Sequence, residues 1–175
     1  MLKSANFSPC RTWRYTLHRS WADKPLFGPI SQGNVMFIGL NPSTADEVNN
    51  DPTVRRCIGY ARAWGYGSLI MTNIFAFRAT YPSDMKAAVD PVGPENDKWL
   101  IECASEAALV VAAWGNDGAY RSRSRQVVEM MDRARLQLMC LRITKVGEPE
   151  HPLYLPGKLR PTPFAGSCSS VEAVL

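Results

Sequence analysis

Short apolar runs and stretches of helical spacing alternate along the middle of the chain. Val35 to Leu40 is an apolar run rich in β-formers, interrupted only by Gly39. Such a run predicts a strand buried on both faces, as parallel sheets require. It stops at Asn41-Pro42, where Pro42 lacks an N–H for the ladder and holds Asn41 extended or in a turn. Downstream, Asp51 before Pro52 has the chemistry of a helix start, an N-cap followed by proline. Val54, Ile58, Ala61 and Trp64 then recur at helical spacing as far as Gly65. Ser68 to Arg78 reads as a second buried strand carrying Asn73, and a helix is expected from about Glu95 to Ala107. Ala108 to Ala113 predicts a third strand, Arg121 to Arg135 a helix with a basic exposed side, and Leu136 to Leu141 a short fourth strand. Strands alternating with helices predict an α/β fold, a three-layer α/β/α domain around a central, mainly parallel four-stranded sheet.

The flanks read differently. From Arg11 to Trp21 aromatic or apolar residues alternate with polar ones, which predicts an antiparallel edge strand or hairpin arm. Trp13, Tyr15 and Leu17 would share its buried face, with Arg14, Thr16 and His18 on the other, so His18 is expected at the surface. Pro25, Gly28, Pro29 and Gly33 mark a loop into the first core strand. Pro82, Asp84, Pro91 and Pro94 punctuate another loop, and the segment from Lys145 to Arg160 predicts no regular element. The chain thus divides into an N-terminal arm (1–33), an α/β core (34–156) and a tail (157–175), all one domain.

Composition narrows the chemistry. Of 175 residues 46% are apolar and 21% charged, enough for a proper core, and no apolar run approaches a membrane span. The N-terminus lacks the apolar centre of a signal peptide, so a soluble, cytoplasmic protein is expected. Five scattered cysteines without a C-x-x-C pair argue against a disulfide framework and against zinc or iron–sulfur sites, so no metal or cofactor is expected. A net charge of +4 is compatible with an anionic partner without demanding one.

Candidate chemistry gathers at strand ends. The carboxyl end of a central parallel strand is where open α/β sheets place ligands, which draws attention to Asn41. Asn73 interrupts an apolar run, so its amide must find partners or face a cleft. The loop and helix start near Arg55 and Arg56 suit either a phosphate cradle or simple capping beside a solvated basic face. His151 before Pro152, on its own residues, reads as a turn.

Taken together, Gly39-Leu-Asn-Pro-Ser-Thr-Ala-Asp46, Asp51-Pro-Thr-Val-Arg-Arg56, Thr72-Asn-Ile-Phe-Ala-Phe-Arg78, Ala113-Trp-Gly115 and His151-Pro-Leu-Tyr-Leu155 resemble an uncharacterised bacterial and phage family known as a domain of unknown function. The resemblance runs from about residue 10 to residue 156. A weaker one is to the uracil-DNA glycosylase superfamily. Gly39-Leu-Asn-Pro-Ser43 is similar to the Gly-Ile-Asn-Pro-Gly of its mismatch-specific branch, Thr72-Asn73 with Arg78 to its thermostable branch, and His151-Pro-Leu153 stands where the superfamily has His-Pro-Ser. That resemblance implies that Asn41 positions the attacking water or supports the sugar cation, Asn73 reads a base edge, and His151 stabilises charge on the departing base. It places Gly39, Pro42 and Ser43 against the substrate, Phe75 or Phe77 under the base, and Arg78 nearby. Leu153 or Tyr154 would wedge a groove, with Lys158 and Arg160 on phosphates and the base extruded into the pocket. The chain departs from the pattern at Ser43 and Leu153 and has no carboxylate directly after Gly39, which leaves Asp46 as the nearest general base.

The expectation is a nucleobase-recognising, glycosylase-like hydrolase of an N-glycosidic bond in DNA or a nucleotide. Two alternatives stand beside it. One is a non-catalytic sensor of a nucleotide or DNA end using the same pocket; the other is a small-molecule enzyme of another class on the same scaffold.

Overall fold

The computed structural model describes residues 1–21 and 33–164; the loop expected at Pro25, Gly28 and Pro29 and the tail beyond Phe164 lie outside them. Among the described residues seven strands form one sheet: β1 (Leu2–Phe7), β2 (Arg14–Ser20), β3 (Asn34–Gly39), β4 (Ser68–Asn73), β5 (Leu109–Ala112), β6 (Met139–Cys140) and β7 (Thr162–Pro163), in the spatial order β1-β2-β4-β3-β5-β6-β7. The middle four run parallel, and β1, β2 and β7 are antiparallel additions at the two sides. The expected four-stranded sheet is therefore the centre of a wider one. The N-terminal arm supplies β1 as well, and β2 is an interior strand rather than an edge.

Four α-helices among the described residues make the fold mixed α/β: α1 (Pro52–Ala63), α2 (Pro82–Ala87), α3 (Asn96–Glu106) and α4 (Arg123–Arg133). α1 starts as its sequence dictates, since the Asp51 side chain accepts the Val54 N–H and Pro52 occupies the first turn. Alternation along β3 sorts the core. Met36 and Ile38 pack with Leu100 and Cys103 of α3 and Val127 and Met131 of α4. Val35 and Phe37 pack with Val54, Cys57 and Ala61 of α1. Phe37 stacks on Trp64 with centroids 5.8 Å apart, and Tyr60 sits 5.5 Å from the same indole. Such ring pairs add about 0.5–1.5 kcal/mol beyond the area they bury, which fixes α1 against β3.

The alternation expected in β2 fails for a local reason. Asn6 pairs with Thr16 but Phe7 with Arg14, so Tyr15 is bulged out of the ladder. A bulge shifts strand residues from one face of the sheet to the other. Tyr15 consequently stacks on Trp99 of α3, whereas Leu17 packs in the core beneath α1. Arg14 and Arg19 are buried, at 2% and 0% exposure, although Arg14 was expected on the polar outer face. Arg14 Nη1 donates to the Ala45 carbonyl at 2.7 Å. Arg19 Nε donates to Asn50 Oδ1 at 2.7 Å, and Nη2 to the Asn49 carbonyl at 3.1 Å. Two strand arginines thus hold the loop between β3 and α1. His18 is half-buried rather than at the surface, and that burial lowers the pKa of its imidazole.

Other boundaries shift less. β4 ends at Asn73, short of Arg78, yet the chain still tracks the exit of β3: Ile74 N–H donates to the Gly39 carbonyl and Phe75 N–H to that of Leu40, both at 2.9 Å. The proline-marked loop contains α2, and the fourth core strand shrinks to Met139–Cys140. The segment just before the tail carries a short 3-10 turn, Pro152–Tyr154, and the tail itself carries β7. No helix among the described residues is long and apolar enough to cross a membrane.

Candidate functional site

A cavity of about 390 Å³ opens at the carboxyl ends of β3, β4 and β5. Gly39, Asn41 and Ser43 line it from the end of β3, Asn73 from the end of β4, and Trp114 to Asp117 from the turn after β5. His151 closes it from the start of the 3-10 turn at Pro152–Tyr154. Residues more than a hundred positions apart in sequence therefore meet in one place.

Each side chain is held by identifiable bonds. Asn41 Nδ2 donates to the Ala79 carbonyl at 2.7 Å and to that of Pro42 at 3.1 Å. Both donors of the amide are thereby spent, and Oδ1 remains an acceptor on the cavity wall. Asn73 is 3% exposed, and its Nδ2 has no partner among the described residues. An orphaned buried donor of this kind costs about 1–3 kcal/mol unless something else satisfies it. Its backbone is braced from behind, where Asn96 Nδ2 donates to the carbonyls of Asn73 at 2.9 Å and Ile74 at 3.1 Å. Arg123, buried on α4, adds an Nε bond of 2.8 Å to Ile74 and an ion pair with Asp97.

His151 owes its place to the tail's attachment to α1. Tyr60 Oη donates to the carbonyls of Leu155 at 3.1 Å and Pro156 at 3.0 Å, Arg56 donates to the same Leu155 carbonyl, and Trp64 Nε1 reaches Leu159 at 3.0 Å. His151 Nδ1 accepts the Leu153 N–H at 3.3 Å, which leaves the proton of the neutral ring on Nε2. Burial lowers the imidazole pKa, with the Asp51 carboxylate acting weakly the other way. The ring lines the cavity, and Nε2 is the nitrogen left to donate.

The remaining predicted residues divide sharply. Pro42 is buried behind Asn41 and accepts the Ala79 N–H at 2.9 Å. Phe75 is fully buried in the core against Tyr120, so it does not stack on a ligand. Phe77 and Arg78 line a shallower cleft that shares Ser43, Ala79 and Thr80 with the main cavity. Arg78 lies over the Phe7 ring at 5.0 Å. Asp46 stands outside the cavity lining. Its carboxylate accepts the Val48 and Asn49 N–H groups at 2.8 and 2.7 Å, and those bonds lower its pKa to about 2. A carboxylate so committed is a turn cap, not a base. Arg55 is exposed and bonded to the Asn50 carbonyl, and Arg56 serves the tail, so neither lines the cavity. Leu153 is half-buried, while Tyr154, Lys158 and Arg160 are exposed outside it.

Sequence reasoning passed over other residues lining the cavity, Asp51, Arg14 and Trp114 among them. Asp51, read as a cap, lines it while one carboxylate oxygen holds Val54 N–H at 2.8 Å. Arg14, read as an outward polar residue, lines it from β2. Trp114 contributes a buried indole whose Nε1 donates to Glu148 Oε2 at 2.7 Å. Only the polar position inside an otherwise strand-like alternation hinted at Arg14. Among the described residues no cluster of three His, Cys, Asp or Glu side chains could hold a metal ion.

A family model described as "Protein of unknown function (DUF1643)" matches residues 14–153, and the chain belongs to that family. No curated protein and no solved structure gives a match.

Proposed function

We propose that the cavity recognises a nucleobase and hydrolyses the N-glycosidic bond that carries it, in a nucleotide or in DNA. The observation that carries this reading is the buried carboxamide of Asn73, whose Nδ2 has no partner among the described residues, in the same cavity as Asn41 and His151. A carboxamide offers a paired donor and acceptor, the complement of a base edge. The Nε2–H of His151 would donate to a carbonyl oxygen of the base as negative charge develops there. Asn41 Oδ1 is an acceptor suited to a water or to the sugar cation. Asp51, and not Asp46, is the carboxylate placed to take a proton from that water. The resemblance to uracil-DNA glycosylases assigns Asn41, Asn73 and His151 these same parts, and the parallel centre of the sheet is compatible with it.

The test is a panel of nucleotides and of single- and double-stranded oligonucleotides carrying uracil, mismatched or modified bases. Release of free base, or of an abasic site revealed by alkaline cleavage, is the expected result, abolished in Asn41→Ala. Binding without release, unchanged in Asp51→Asn, would replace the enzyme by a nucleotide sensor. Neither binding nor release would remove the nucleobase from the reading.

A further inference from the structure

Arg14 has a cost that its visible contacts do not offset. It is 2% exposed, it lines the cavity, and its Nη1 makes one hydrogen bond, 2.7 Å to the Ala45 carbonyl. Its Nε is buried without a partner among the described residues. No carboxylate lies within ion-pair distance of it among the described residues. Arg19 shows the contrast. It is equally buried on the same strand, yet Asn50, Asn49, Asp46, His18 and Ser4 all accept from it, and it does not line the cavity. Removing a guanidinium from water without a counter-charge is strongly unfavourable, and burial lowers the Arg14 pKa to about 10. The field around it is mixed: Asp51 and Asp46 favour its charge, and Arg78 and Arg19 oppose it. Asp46 is already committed to its turn.

We propose that Arg14 is the anion-binding residue of the cavity and that the ligand brings a terminal phosphate into it, as a free nucleoside monophosphate does. A guanidinium fork matches two phosphate oxygens, and such charge-assisted bonds are the strong ones in a site shielded from water. Depth decides between a free nucleotide and DNA. When a base is extruded from a duplex, the phosphodiester chain stays at the rim. A side chain with 2% exposure is reached by a phosphate that enters with its nucleotide. This inference rests on the nucleobase reading for the base, and on Arg14 alone for the anion.

The experiment is calorimetric titration of the full chain with the common deoxynucleosides, their 5′-monophosphates and inorganic phosphate. The wild type is compared with Arg14→Gln, Arg14→Lys and Arg19→Gln, each checked for folding by circular dichroism. The expected result is at least one monophosphate binding tenfold or more tighter than its nucleoside. That ratio should fall to about one in Arg14→Gln, recover in part in Arg14→Lys, which keeps a donor and the charge, and persist in Arg19→Gln. Should Arg14→Gln not fold, Arg14→Lys and competition by inorganic phosphate in the wild type carry the test. Equal affinity for nucleoside and monophosphate, or a ratio that survives Arg14→Gln, would make Arg14 a brace for Ala45 and overturn the inference. Arg14-dependent phosphate binding without any contribution from a base would uphold the anion site and defeat the nucleobase reading. No binding of any probe would defeat the anion site too.

Discussion

A Cβ built on Gly39 would lie 2.8 Å from Asn73 Oδ1, and the two residues are direct partners across the parallel ladder of β3 and β4. The carboxamide at the floor of the cavity therefore occupies the space that any larger residue at position 39 would fill. Its backbone is fixed from the opposite side by Asn96. Gly39 is required here for close approach rather than for an unusual backbone conformation.

Gly39→Ala should consequently push the Asn73 side chain out of place while leaving the fold intact. Overpacking of this kind costs about 1–3 kcal/mol. The expected outcome is a modest fall in melting temperature together with a shifted Asn73 side-chain amide resonance and loss of nucleotide binding. An unshifted amide with full binding would show that the cavity does not depend on this contact.

Asp51 combines a structural task with a chemical one, and two substitutions separate them. Asparagine is as good an N-cap as aspartate, whereas alanine costs about 0.5–2 kcal/mol. Asp51→Asn should keep wild-type stability but lose base release, and Asp51→Ala should lose both. Full turnover in a stable Asp51→Asn protein would confine this residue to capping α1.

The two histidines set a pH dependence of stability. Burial lowers the pKa of both His18 and His151, so the unfolded chain binds more protons in the window below its own value of about 6.5. Their contribution is complete above about pH 6.5 and is lost as pH falls from there through the folded values. Melting temperatures measured from pH 7.5 to pH 5 should decline, and the decline should flatten in His18→Gln with His151→Gln. An equally steep decline in the double variant would place its origin in other groups.

Tyr60→Phe removes the hydroxyl that donates to the carbonyls of Leu155 and Pro156. Loss of that bond should cost about 0.5–1.5 kcal/mol. Arg56 and Trp64 still hold the tail, so it should loosen rather than detach. Hydrogen exchange of residues 151–159 should quicken selectively, with weaker ligand binding because His151 is carried on this segment. Unchanged exchange there would mean that the other two contacts suffice.

Local chemistry made much of this molecule legible. The apolar runs at Val35 and Ser68, the Asp51-Pro52 helix start and the breaks at Asn41 and Gly65 each depend on residues within a few positions of one another, so the sequence alone determines them. It also singled out Asn41 and Asn73, because a polar side chain at the end of a buried run stands out without knowledge of what surrounds it, whereas His151 read as a turn and entered only through the family resemblance. Tertiary structure decided the rest. The bulge at Tyr15 depends on its register with β1, and it turned Arg14 inward where alternation alone placed it outside. Asp46 and Asp51 are alike as acidic residues in one polar loop. Only the path of that loop, pinned by buried arginines, commits the first to its own turn and sets the second in the cavity wall. Phe75 and Phe77 differ by two positions, yet the sheet ends between Asn73 and them, so strand periodicity no longer fixes where either ring points. Sequence determined which segments could be strands, helices and strand-end sites because those depend on near neighbours. Long-range register and packing determined which polar groups face the cavity, because that depends on partners a hundred residues away.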